Sequence, residues 1–135
     1  MSGSPGTVEG ERVSEQEWSF SYEGPLHQVF PALHEAQSAY LAQIDSLQAL
    51  DRKTHELVRT AVSVAARNPG AVARHAQLAA EVGASWEEVL ASIVLTQPAV
   101  GIGPAVEAIP VARAGFEAGI ALVQGDADDA DADDE

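Results

Sequence analysis

At 135 residues the chain has room for one domain with a modest core. Its formal net charge of -14, with seven acids and no base in the last eleven residues, argues against nucleic acid phosphates and anionic lipid as partners. The lack of cysteine excludes disulfides, thiolate metal sites and thiol catalysis. No apolar run approaches the roughly 20 residues of a membrane span, and no basic segment followed by an apolar one opens the chain, so a cytoplasmic protein without membrane contact is expected.

Residues 1–24 begin with a Gly-, Ser-, Glu- and Pro-rich lead without apolar periodicity. Trp18, Phe20 and Tyr22 then alternate with polar neighbours, which predicts a short extended arm laid on the domain or on a neighbouring subunit. From Pro25 to Leu47 the apolar residues Leu26, Phe30, Leu33, Tyr40, Ile44 and Leu47 recur at helical spacing and predict one amphipathic helix of about six turns. His27 and His34 lie on one side of it two turns apart, too distant to share a metal directly, so no metal site is expected.

Asp51 is a good N-cap for a second helix carrying Leu57, Val58, Ala61, Val62, Val64 and Ala65 and ending at Arg67. Asn68 can cap the next helix with Pro69 at its first position. Val72, Ala76, Leu78 and Ala79 form its buried stripe, and Gly83 supplies a left-handed stop. Ser85 and Glu88 form a capping box for a fourth helix that starts at Trp86, buries Val89, Leu90, Ile93 and Val94, and is ended or kinked by Pro98.

The link Ala99 to Gly103 has two glycines but no preceding strand and no G-x-G-x-x-G pattern, so it is not read as a phosphate loop. Pro104 opens a last helix with Val106, Ile109, Val111, Ala112, Phe116 and Ile120 inside and a kink near Pro110. Residues 125–135 read as a solvated, disordered acidic tail. No segment alternates with period two, so the class is all-α: about five helices over residues 25–124, with a central antiparallel hairpin around Asn68-Pro69-Gly70. An Ala- and Val-rich chain this small cannot cover several amphipathic faces by itself, which predicts a homo-oligomer.

Two residues carry most of the chemical interest. Glu56 stands near the start of its helix, where the macrodipole alone favours a carboxylate, and Arg59 three residues on can pair with it as a plain helix-stabilising contact. His75 lies among Ala and Leu neighbours and faces with Ala71 and Asn68; it fits a satisfied structural residue, and it fits a proton carrier near neutral pH. Across an ideal hairpin the two differ in depth by roughly 7 Å, a gap that side-chain length, helix crossing and a bridging water span. The same arithmetic admits a histidine from a neighbouring subunit. Trp86 reads as a packing cover for the hairpin or an interface anchor.

The run Leu50-Asp51-Arg52-Lys53-Thr54-His55-Glu56-Leu57-Val58, followed by His75, Gly83, Ser85 with Glu87-Glu88, and Gly101, resembles the carboxymuconolactone decarboxylase family and its alkyl hydroperoxide reductase D-like branch over about residues 51–119. The resemblance implies a small all-helical fold assembled as a homotrimer or homohexamer. The peroxidase branch joins a glutamate, a C-x-x-C pair and a histidine in a proton relay. Glu56 and His75 match the outer members, but Asn68 and Ala71 occupy the cysteine positions, so a thiol cycle has no sulfur to run on.

The decarboxylase branch needs no cysteine, metal or organic cofactor. What it implies here is a cofactor-free lyase or isomerase working by proton transfer on a small carboxylate or carbonyl substrate, with His75 as the acid and Glu56 orienting it. Arg59, Arg67, Arg74 and Asn68 are then the candidates for holding the substrate. The branch's Y-x-G-x-P ending is represented by Ala99, Gly101 and Gly103, with Pro104 one place late, so the aromatic that goes with lactone specificity is missing. The rival reading, from another class, is a catalytically silent oligomeric scaffold or binding module of the same fold.

Overall fold

The computed structural model describes residues 24–132. They fall into two compact units that divide between Leu47 and Gln48. The predicted arm of Trp18, Phe20 and Tyr22 lies outside the described residues. The first unit holds α1 (Gly24–Val29) and α2 (Pro31–Asp45). The second holds α3 (Arg52–Ala65), α4 (Pro69–Glu81), α5 (Trp86–Val94), α6 (Gln97–Val100) and α7 (Ile102–Ala132). The class is all-α.

Where one long helix is expected from Pro25, the first unit has two. Pro31 lacks an amide hydrogen and pushes the residue before it out of the helical region, and Phe30 accordingly sits at φ -129°, ψ 67°. The hydrogen bonds from Phe30 N to Leu26 O (2.7 Å) and from His34 N to Phe30 O (3.0 Å) carry the chain across the break. The bend also corrects the expected separation of the two histidines: the rings of His27 and His34 meet edge to face with centroids 5.0 Å apart. No cluster of three metal-ligating side chains occurs among the described residues. No residue of α2 is buried, so Leu33 and Tyr40 of the expected stripe are exposed.

In the second unit each helix boundary has a local chemical cause. Asp51 Oδ1 accepts the Thr54 amide at 2.8 Å and starts α3. α3 ends at Ala65, two residues short of the expected Arg67, because Arg67 turns left-handed at φ 53°. The bonds Arg67 N to Val64 O and Asn68 N to Ser63 O, both 3.0 Å, close the helix in the pattern that usually uses glycine. A side chain in that conformation costs roughly 1–2 kcal/mol.

Asn68 Oδ1 then caps Ala71 N at 3.1 Å, so α3 and α4 are joined by a minimal turn and fold back as a hairpin. Gly83, at φ 95°, stops α4. The Ser85 and Glu88 capping box forms with both arms at 3.0 Å. Pro98 does not kink α5, which has already ended at Val94; it sits in the first turn of the short α6, where its missing donor is harmless. This extra helix and the break at Phe30 account for seven helices among the described residues instead of about five.

The core is a close contact between α4 and α7. Seven of its twelve clustered residues are alanine, so there is little side-chain bulk to hold helix axes apart. A Cβ on Gly115 would lie 2.1 Å from Ala73 O, and one on Gly119 would lie 2.4 Å from Gln77 O. The contacts advance by four residues on both helices, so α7 runs in the same direction as α4. Phe116 closes one end of this seam against Trp86 (5.7 Å between centroids), and the Arg113 guanidinium covers the indole at 4.8 Å. Trp86 is thus a packing cover.

Several apolar residues expected inside are outside. On α3 the buried positions are Glu56, Thr60, Ser63 and Val64, whereas Val58 and Val62 are 47% and 61% exposed. The polar face can turn inward because Thr60 Oγ1 donates to Glu56 O and Ser63 Oγ to Arg59 O, each at 2.7 Å, leaving neither hydroxyl unsatisfied. Val94 and Val106 are likewise exposed.

The tail expected to be disordered from Gly125 instead continues α7 to Ala132 with every residue from Val123 exposed. No proline follows Pro110, and Ala127, Ala130 and Ala132 favour helix. No helix among the described residues is long and apolar enough to cross a membrane.

Two alanine substitutions should act in opposite directions. Gly115→Ala drives a methyl into a backbone carbonyl and should lower stability by ~1–3 kcal/mol. Gly125→Ala, in the helical continuation of α7 with nothing within 4 Å, should raise it by ~0.5–1 kcal/mol. Paired urea titrations check both signs.

Candidate functional site

The site is built on the first two turns of α3 and the middle of α4. Glu56 is fully buried, and a carboxylate out of water needs cations or donors around it. It finds them on both oxygens. Oε2 meets His75 Nδ1 at 2.9 Å. Oε1 lies 3.2 Å from Arg52 Nη2 and 3.6 Å from Arg59 Nη1. Neither guanidinium contact has hydrogen-bond geometry to Oε1, so both are ionic. No bridging water or neighbouring subunit is needed to join the two, since the contact with His75 is direct and within one chain.

With two guanidiniums beside it, Glu56 is an acceptor. Where Glu56 accepts, the ring nitrogen facing it carries the proton, and Nε2 is the other nitrogen of a side chain that is 22% exposed. A buried carboxyl group in contact with a partly exposed imidazole is an arrangement that can pass a proton.

The first turn that carries Arg52 is itself anchored. Thr54 holds the Asp51 carboxyl below its usual range by hydrogen bonding. Lys53 Nζ pairs with Glu88 Oε2 at 2.8 Å, linking α3 to the cap of α5. That contact, with the Ser85 amide, lowers the Glu88 carboxyl from its ordinary 4.5, and Glu88 in turn raises the Lys53 ammonium.

Of the residues expected to form the site, Glu56, His75 and Arg59 come together. Arg67 and Asn68 do not join them. They border a cavity of about 100 Å³ at the hairpin turn, walled by Val64, Val72, Glu107 and Val111, and the Asn68 carbonyl is occupied in capping Ala71. Arg74, at 4% exposure, is buried and already engaged, so it is not presented to a ligand. Arg52 was missed. Its position four residues before Glu56, on the same helix face, was the available signal.

The carboxymuconolactone decarboxylase family model matches residues 31–114, a span that includes every residue of this cluster. The fold is similar to the apo crystal structure of a carboxymuconolactone decarboxylase family protein from Legionella pneumophila, with TM-score 0.63 and 26% identity over 76% of this chain and 91% of that one. No curated protein gives a significant match.

The lowered Glu88 carboxyl makes a prediction about pH. A group whose folded value lies below its unfolded one stabilises the fold above the unfolded value and ceases to do so as pH falls through the folded one. Glu88→Gln should therefore lower the melting temperature at pH 7, and the gap from wild type should close as the pH is taken from about 5 to below the lowered folded value. A gap that persists unchanged at pH 2 would show that the charge is not what matters.

Proposed function

The chain belongs to the carboxymuconolactone decarboxylase family, and from that premise we propose that it is a cofactor-free lyase or isomerase in which Glu56 and His75 move a proton on a small carboxylate-bearing or carbonyl substrate. The observation that carries this reading is the 2.9 Å contact between a fully buried carboxylate and a partly exposed imidazole. With Nδ1–H given to Glu56, the Nε2 edge serves the substrate.

On an unsaturated lactone acid the bond to the departing carboxylate breaks and its electron pair enters the conjugated lactone, giving carbon dioxide and a dienolate. His75, as imidazolium, delivers its Nε2 proton to the dienolate carbon and is reprotonated from solvent. Glu56 stabilises the imidazolium and holds its orientation. In this reading Arg59, partly exposed beside Glu56, holds a substrate carboxylate. The sequence contains no cysteine, which leaves no route to a thiol peroxidase cycle on its own side chains.

Self-association belongs to the same reading. Val58 and Val62 stand one turn apart on the outer face of α3, beside the site, and stay exposed in the single chain. They support a homotrimer or homohexamer that covers them.

Across a panel of small carboxylate-bearing and carbonyl substrates that includes carboxymuconolactone, on whichever the wild type turns over, His75→Gln should abolish turnover, and Glu56→Gln should reduce it by about 10²-fold or more. Turnover by His75→Gln equal to wild type would remove the histidine from the mechanism.

Light scattering of the wild type should give the mass of three or six chains, and Val62→Glu should shift that mass towards one chain without unfolding it. A wild-type monomer at micromolar concentration would contradict the assembly.

A further inference from the structure

The structure assigns Arg52 as the positioning residue of the Glu56 and His75 pair: its guanidinium keeps the buried carboxylate an anion aimed at Nδ1, and so decides that Nε2 is the nitrogen that works. The inference rests on His75 being the proton carrier.

The two members of the pair can share one hydrogen bond in two ways with opposite consequences. If Glu56 is an anion, Nδ1 carries the proton and Nε2 is free to exchange one with a substrate. If Glu56 is a neutral acid, its own proton goes to Nδ1, the ring's proton sits on Nε2, and that nitrogen has no lone pair to offer. Burial alone favours the neutral acid, because it penalises the charged form. Something must outweigh that.

His75 cannot supply the difference in its neutral form. The candidates are the two guanidiniums at Oε1, and their placement separates them. Arg52 Nη2 is at 3.2 Å and Arg59 Nη1 at 3.6 Å.

Arg52 also reaches Glu56 from a fixed base. The residue before it is the N-cap of α3, which holds Thr54 N, and the residue after it is tied to Glu88 on α5. A guanidinium carried on that turn keeps its positive charge at one place beside Oε1. Arg59 lies on the same oxygen at longer range and is no more exposed than Arg52, so distance and anchoring, not access, are what set the two apart. Two cations against one carboxylate leave the immediate surroundings of His75 positive in a chain whose formal charge is -14.

The test reads the imidazole directly and needs no substrate. The full-length protein is labelled with ¹⁵N-histidine, and the Nδ1 and Nε2 shifts of His75 are recorded above neutral pH, with His75→Gln used to assign them. Wild type should be mainly the Nδ1–H tautomer. Arg52→Met should lower the ratio of Nδ1–H to Nε2–H several-fold, Arg52→Lys should restore most of it, and Arg59→Met should change it less than Arg52→Met does.

Should Arg52→Met fail to fold, Arg52→Gln retains the hydrogen-bond donors without the charge and should show the same fall. A wild-type ring that is mainly Nε2–H overturns the proposal. So does an Arg52→Met or Arg52→Gln variant with an unchanged ratio, whatever its melting temperature, because a merely structural arginine would move only stability. A tautomer shift in Arg52→Met together with full turnover by His75→Gln would leave the positioning role standing and remove the catalytic one.

Discussion

A carboxylate with no exposed surface dominates the energetics of this small fold. Removing such a charge from water costs several kcal/mol unless cations and donors replace the lost hydration, and Glu56 is met by His75 on one oxygen and by Arg52 and Arg59 on the other. Its demands propagate outward. His75 must come from α4 at the right depth, which needs the short turn through a left-handed Arg67 and the Asn68 cap. Arg52 must sit one turn before Glu56, which needs α3 to begin at Asp51. The polar side of α3 must face inward, and Thr60 and Ser63 make that tolerable by bonding to the preceding turn.

The cost of that inversion appears on the other side of α3. A helix that spends its inner face on Glu56, Thr60 and Ser63 leaves Val58 and Val62 in solvent. The seam between α4 and α7 compensates by close packing: glycine at positions 115 and 119 and alanine through much of the core let the helices approach nearer than larger side chains would allow. A chain with few large side chains thus obtains a rigid α4, the helix that carries His75, without a bulky core.

Much of this was legible in the sequence wherever the cause is local. The caps at Asp51, Asn68 and Ser85 and the stop at Gly83 depend on a few neighbouring residues, and all four form as their spacing predicts. The helix break was equally local, but its signal is Pro31, which the apolar periodicity on either side obscured. The orientation of α3 was not legible. Apolar periodicity assumes that valines go inward, and only the tertiary demand of Glu56 reverses that preference. For the same reason Arg74 read as a ligand for substrate and proved to be buried, while Arg52 drew no reading of its own. The alternation of charge along L-D-R-K-T-H-E-L-V says which residues can meet; which face they meet on is settled by α4.

The central claim is that Glu56 and His75 act as one unit within a single chain. A double-mutant cycle in stability, built from Glu56→Gln, His75→Gln and the double variant, tests it without any assumption about substrate. Contacting residues of this kind couple by ~0.5–3 kcal/mol, and the account predicts a coupling of at least 1 kcal/mol. Additivity of the two single changes to within ~0.3–0.5 kcal/mol would contradict it.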